Sequence, residues 1–267
     1  MGLYSTEAIV LGYRDLGEAD KILTLFSPEK GKMHAVARGV RRPRNHLLGG
    51  TQLFSYTNFL LMTGRNLDII CQCEIKKTFY KLRDDLDKLA FGLYFAELLR
   101  ASTPMEDKNR ELFNFFLKTL YCLEQWQDMD KLSRIYELKL MAIQGFTPEL
   151  FNCTNCGGPI SGKIKFSPKL GGVICNNCLA KDTEALELFP EALLLLRKML
   201  RGTYEQLENL SIQLNISQNM KEALQAFILY HMNRKLKTVQ FIKDIKSLEK
   251  LNEEERGEID GRNNRYL

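Results

Sequence analysis

Four of the seven cysteines in this 267-residue chain fall into two Cys-x-x-Cys pairs, Cys153/Cys156 and Cys175/Cys178. Eighteen residues separate the pairs, a spacing expected of a zinc site. Two residues between cysteines let one tight turn aim both sulfurs at one ion. Gly157 and Gly158 follow the first pair and supply the backbone freedom such a knuckle needs. Soft thiolates in a set of four select Zn²⁺ among the common ions. Four thiolates also fill the tetrahedron, which leaves no position for a reacting water and makes the expected zinc structural. None of the three histidines stands in the His-x-Glu setting that a zinc deaminase uses. Residues 157–163 spell a P-loop skeleton, but Ile164 stands where the Mg²⁺-binding hydroxyl belongs, so no nucleotide site is expected there. Cys71, Cys73 and Cys122 read as small core residues. No export signal opens the chain, so reduced, metal-holding thiols in the cytosol are expected.

The second chemical feature is a run of cations. Between residues 30 and 67 the chain carries Lys30, Lys32, Arg38, Arg41, Arg42, Arg44 and Arg65, and no Asp or Glu. A charge run is ordinarily a solvated loop. A stretch this long without an acidic neighbour instead suits a phosphate backbone, which guanidinium groups grip in pairs of hydrogen bonds. Tyr13, Phe54, Tyr56 and Phe59 are candidates for stacking on bases, although strand alternation must send half of them to the core.

These residues need elements to position them. Residues 6–14, 21–26, 32–40, 52–62 and 67–77 read as five strands, with Ser27-Pro28-Glu29-Lys30-Gly31 and Thr63-Gly64-Arg65-Asn66 as turns. Ile9 and Leu11 oppose Ala8 and Val10, so the first strand is apolar on both faces and expects a cover outside the barrel. Five short strands with one long interruption after the third form the layout of an OB-type barrel, a layout other small barrels share. Helical spacing begins near residue 81: residues 84–101, 109–125 and 130–144 read as helices, then 190–201 and 220–237 after the cysteine segment. Within that segment, 164–166 and 173–174 read as short strands of a small zinc ribbon. The expected architecture is a multi-domain α+β chain. An OB-fold nucleic-acid-binding domain covers residues 1–80. A helical domain covers 81–247 with the ribbon inserted at about 150–180, and a flexible tail covers 248–267.

Hydrophobic residues make up 45% of the chain and charged residues 27%, which excludes wholesale disorder, and no apolar run is long enough to cross a membrane. The formal charge of +5 is uneven. Residues 1–77 hold 11 basic and 7 acidic side chains, the other 190 hold 27 and 26, and the last twenty hold four basic and six acidic.

The stretch from Ala8 through Tyr13-Arg14-Asp15-Leu16-Gly17-Glu18-Ala19-Asp20-Lys21, then Gly31-Lys32, Ala37-Arg38-Gly39-Val40-Arg41-Arg42 and Gly49-Gly50 before Gln52-Leu53-Phe54, closely resembles the bacterial recombination mediator family RecO. The helical middle and the four-cysteine insertion continue the resemblance, which covers about residues 3–247. It implies a non-enzymatic repair protein of the bacterial cytoplasm and nucleoid. Such a protein binds single- and double-stranded DNA and anneals complementary strands, including strands coated with single-stranded-DNA-binding protein (SSB). It further implies action with RecR, and often RecF, to promote RecA loading, and recognition of the acidic, Phe-terminated SSB tail by an apolar pocket with a basic rim. Two other classes remain open to the residues alone. A zinc-ribbon RNA-binding or transcription factor would discriminate sequence or 2′-hydroxyl groups. A metal-dependent nuclease would need clustered carboxylates, and the acidic residues here lie mainly on helix faces.

Overall fold

The computed structural model describes residues 2–245 and 247, so the expected tail over 248–267 lies outside the described residues. Five strands, β1 (Leu3–Leu16), β2 (Asp20–Ser27), β3 (Gly31–Ala37), β4 (Tyr56–Met62) and β5 (Asp68–Lys77), close into a barrel in the order β1-β2-β3-β5-β4. The long first strand makes closure possible. Its first half pairs with β4 from Leu3 to Ile9, its second half with β2 from Ile9 to Leu16, and a register shift between Val10 and Gly12 bends it between the two. The parallel pairing that closes the barrel, β3 with β5, spans only Ala35↔Asp68 and Val36↔Ile69.

Both faces of β1 are buried, as its alternation requires. Ala8 and Val10 pack inside the barrel with Leu23, Leu25, Met33, Ala35, Phe59 and Leu61. Ile9, Leu11 and Phe26 point outward into a larger core shared with the helices. The strand expected to begin at Gln52 begins at Tyr56. Residues 52–55 are turn, with Phe54 in the left-handed region at φ 66° and its N–H bonded to Val10 O at 2.9 Å. Phe54 is drawn there by packing: its ring lies where a Cβ on Gly92 would stand, 2.7 Å from Cζ. An apolar residue anchoring the barrel to a helix thus imitates strand alternation. The third strand likewise stops at Ala37, short of the expected Val40.

Helices α1 (Lys81–Asp84), α2 (Leu86–Ser102), α3 (Arg110–Gln125) and α4 (Met129–Ile143) follow. Asp85, Asn109 and Asp128 cap the last three through side-chain oxygens that accept from the N–H of Lys88, Leu112 and Lys131. After the cysteine segment come α5 (Pro190–Arg201), α6 (Tyr204–Leu207) and α7 (Leu214–Met232). The short α6, opened by a Thr203/Gln206 capping box, was not legible in the periodicity. The last expected helix is displaced. It starts six residues early at Leu214 and ends at Met232, where Asn233 turns left-handed at φ 47°. A separate helical stretch covers 237–245.

That stretch is capped from another element. Glu97 of α2 accepts from Lys237 N (3.2 Å), Thr238 N (2.9 Å) and Thr238 Oγ1 (2.6 Å). Burial opposes ionisation of Glu97, but the Thr238 hydroxyl, the two amides and nearby Arg100 outweigh it and hold its pKa below the ordinary carboxylate value. A carboxylate depressed on folding stabilises the folded form above its unfolded pKa and loses that contribution as pH falls through its folded pKa. Amide hydrogen exchange over 237–245 is therefore expected to accelerate as pH drops below about 4, after correction for intrinsic rates, and to be fast already at neutral pH in Glu97→Gln. Equal protection in variant and parent would contradict this.

Candidate functional site

The long connection between β3 and β4 is a chain of turns over residues 38–55, held close to the barrel rather than looping free. Gly39 N donates to Asp20 Oδ1 at 2.7 Å, Arg41 N to Ala19 O at 2.9 Å, and Asn45 Nδ2 to Arg38 O at 3.2 Å. Gly39 meets this turn at φ 63°, and Arg44 is also left-handed at φ 66°. These bonds fasten the loop against the β1–β2 turn, so its arginines are displayed on a fixed backbone.

The seven cations divide into three groups. Arg38, Arg42 and Arg44 are exposed on this loop and make no ion pair among the described residues. Arg41 is exposed but engaged: its Nη1 lies 3.4 Å from Asp15 Oδ2 and donates to Gly17 O at 3.2 Å. Lys30 and Arg65 belong to the other end of β3, about 20 Å away at ~3.3 Å per residue. There Lys30 lies over the Tyr4 ring at 4.7 Å, and Tyr4 donates to Asp68 beside the turn that carries Arg65. Lys32 stands apart. Its Nζ donates to Arg100 O at 2.7 Å and to Thr103 O, tying β3 to the end of α2. Burial first, then repulsion from Arg100 and Arg234, lowers its pKa. This half-buried ammonium ties the two parts of the molecule together.

Of the aromatic candidates, Phe54 and Phe59 are wholly buried and Tyr56 is spent on a hydrogen bond to Glu7. Tyr13 remains, half-exposed, with Lys21 Nζ 3.7 Å from its ring centroid.

The four cysteines converge. Their Sγ atoms all lie within 4.8 Å of one another, and Cys156 Sγ is 3.8 Å from Cys175 Sγ. A tetrahedron with Zn–S bonds of about 2.3 Å requires sulfurs roughly 3.8 Å apart, so the cage has the size for that ion. The first knuckle turns on Gly157 at φ 70°, whose N–H bonds to Cys153 O at 2.8 Å. The second is a 3-10 turn over Asn176–Lys181. Backbone N–H of Cys175 and the Asn155 amide donate to Cys153 Sγ and Cys178 Sγ at 3.4 and 3.2 Å. For Cys153, burial opposes ionisation, but the amides of Cys175, Cys156 and Asn155 outweigh it and bring the thiol down to about 6. Cys178 moves the opposite way to about 11. The Asn155 amide favours its thiolate, but burial and the three neighbouring sulfurs prevail. Four thiolates in so small a space need a cation, and this donor set fits a four-sulfur metal site.

The ribbon is not a free-standing module. Strands β6 (Lys165–Ser167), β7 (Gly172–Ile174) and β8 (Leu186–Glu187) form a sheet in the order β7-β6-β8. Phe166 and Val173 join the main core, with Phe166 5.8 Å from Phe227 of α7. Only Ile174, Ala185 and three of the cysteines are buried as a separate cluster around the cage.

Residues 1–79 match the family model described as Recombination protein O N terminal, and residues 83–240 match Recombination protein O C terminal. The chain belongs to the RecO family. A DNA repair protein RecO of Pelotomaculum thermopropionicum is 37% identical over 242 residues, covering 91% of this chain and 94% of that protein. One from Symbiobacterium thermophilum is 36% identical over 251 residues, covering 92% and 99%. The five-stranded barrel and the helical C-terminal region are thus those of a DNA repair and recombination family. No helix among the described residues is long and apolar enough to cross a membrane.

Two further surfaces of this RecO family member emerge in the tertiary structure. A groove of about 1220 Å³ runs along α5, floored by Leu195, Leu210, Ile212 and Ile216 and edged by Arg197 and Arg201. Both arginines lie over the Phe151 ring, at 5.2 and 4.1 Å, and Arg197 Nε donates to Leu150 O at 2.7 Å. The second is a basic strip at 234–243, Arg234, Lys235, Lys237 and Lys243, which straddles the end of the helix expected over 220–237. Its spacing contained the signal: four cations in ten residues without an acid.

Proposed function

We propose that this chain is a non-catalytic recombination mediator. It binds single- and double-stranded DNA, anneals complementary strands, including SSB-coated ones, and acts with RecR and RecF to promote RecA loading in the bacterial cytoplasm. The barrel over residues 1–80 is the nucleic-acid-binding domain, and zinc in the Cys153/Cys156/Cys175/Cys178 cage is structural. The observation that carries the reading is the trio Arg38, Arg42 and Arg44, exposed and without ion pairs among the described residues, on a loop fastened to a closed five-stranded barrel. Annealing must bring two polyanions together, and free guanidinium groups on a rigid support lower their repulsion. Lys30 and Arg65 contact phosphate at the far end of β3, whereas Lys32 and Arg41, already engaged, contribute little.

The groove along α5 supports recognition of the SSB tail. Its apolar floor suits a terminal Phe side chain, and Arg197 and Arg201 at its rim suit acidic residues and a carboxylate.

The test is annealing of complementary strands coated with SSB, with and without RecR. The chain is expected to accelerate annealing of both bare and coated strands. Arg201→Glu is expected to abolish acceleration on coated strands and to spare it on bare ones. Failure to anneal bare strands at any salt concentration would overturn the mediator reading, and equal loss on both substrates would overturn the groove assignment.

A further inference from the structure

A second positive surface forms where α2 meets the barrel. Arg100, near the end of α2, is half-buried, and its guanidinium lies over Gly12 of β1, where a Cβ would stand 2.6 Å from Arg100 Nη1. Glu97 is the carboxylate that attracts the Arg100 guanidinium, while Arg234 repels it. Lys32 approaches it from β3 and Arg234 from beyond α7, closely enough for the three to repel one another. The carboxylate at this seam, Glu97, is held by its three bonds to residues 237 and 238. The positive surface continues through Lys235, Lys237 and Lys243, all exposed. Asp244 faces the same stretch and accepts from Gln240 at 2.8 Å.

Three cations share this partly desolvated seam with one carboxylate, Glu97, so an excess of positive charge is left for a counter-charge from outside the molecule. The β2–β3 surface connects this seam to the arginine loop. Gly12 pairs with Thr24, and Thr24 with His34, whose side chains meet at 3.3 Å. His34 is four residues from Arg38 along β3, about 13 Å at ~3.3 Å per residue. Gly12 keeps this surface low, since any side chain there would collide with Arg100.

We propose that Arg100 and Arg234 contact the phosphate backbone of the same strand that the Arg38–Arg44 loop engages, so that one strand passes from the loop across Gly12, Thr24 and His34 onto the helical body. This rests on the reading of the barrel as a DNA-binding domain and extends it to residues outside the barrel. The path would make the helical body a working part of strand binding, with the seam fixing the strand's direction relative to α2.

The experiment is fluorescence anisotropy of the full chain with a labelled thirty-nucleotide dT strand over a salt series. For single strands each phosphate contact contributes about 0.7 to the slope of log K against log salt. Arg100→Gln with Arg234→Gln is expected to lower the slope by about 1.4 and the affinity at 0.1 M salt about 25-fold. Arg234→Gln alone, on an exposed side chain with nothing to unfold, is expected to lower the slope by about 0.7, and Arg100→Lys to retain most of the parent slope. An unchanged slope in the double variant overturns the proposal, and so does weakened binding at unchanged slope, which would mark Arg100 as structural. An Arg38/Arg42/Arg44→Ala variant in parallel separates the two ideas. If it loses binding while the seam variants do not, only the extension falls; if it also binds like the parent, the barrel reading falls with it.

Discussion

Replacing Arg38, Arg42 and Arg44 together by Ala is expected to weaken single-stranded DNA binding about a hundredfold at 0.1 M salt. The slope of log K against log salt should fall by about 2. Both figures follow from the release of about 0.7 counterion per phosphate contact, which makes each lost contact worth roughly fivefold at that salt concentration. The fold should survive, because none of the three side chains is buried or ion-paired among the described residues. Arg41→Ala alone is the informative control. Its guanidinium is already 3.4 Å from Asp15 Oδ2, an exposed pair, and in the complex it must exchange one anion for another. Its loss should cost less than a single free arginine. Titration by anisotropy at several salt concentrations distinguishes these outcomes. Binding that weakens without a change in slope would show that the loop shapes the barrel rather than gripping phosphate.

Cys175→Ser is expected to abolish stoichiometric zinc and to lower the melting temperature by about 10 °C or more. Loss of a metal is among the few single changes that cost roughly 4 kcal/mol or above, and a chain of this size loses ~2–4 °C per kcal/mol. The damage should be confined. Phe166, Val173 and Leu188 are part of the main core, so β6 and β7 keep their anchor. The knuckles have only a small cluster of Ile174, Ala185 and the cysteines, with Ile160 and Leu179 packed against it, to hold them. Exchange protection is therefore expected to vanish over 153–163 and 175–185 and to persist at 165–167. DNA binding through the barrel should stay within about twofold. Metal content by emission spectroscopy and a thermal melt test this directly; a variant that melts with the parent would remove the cage from any structural role.

Much of the architecture was legible because it is local. Alternation in β3 sends Met33, Ala35 and Ala37 inward, and the two-sided apolar pattern of β1 announced a cover over the barrel, which Ile9 and Leu11 receive from the helices. Asp85, Asn109 and Asp128 cap helices whose starts were readable to within two residues. Failures occurred where a distant element decides. Phe54 is left-handed because Gly92 leaves room for its ring, thirty-eight residues away in sequence. The stretch 237–245 is a separate helix because Glu97, in another helix, satisfies its first amides. Periodicity records which face of an element is apolar, and it is silent on a cap or a vacancy contributed by a neighbour.

The candidate site divides in the same way. Four cysteines at two-residue and eighteen-residue spacings make a four-sulfur cage that could hold a metal ion legible from sequence alone, since each knuckle is a local turn. Strand alternation and the pause after the third strand likewise determine a small barrel. Which cations remain free was decided only by the tertiary structure. Arg41 meets Asp15, Lys32 meets the carbonyls at the end of α2, and Arg100 feels the charge of Glu97 and of Arg234. Charge compensation depends on distance in space and on the burial of each group, neither of which the order of residues records.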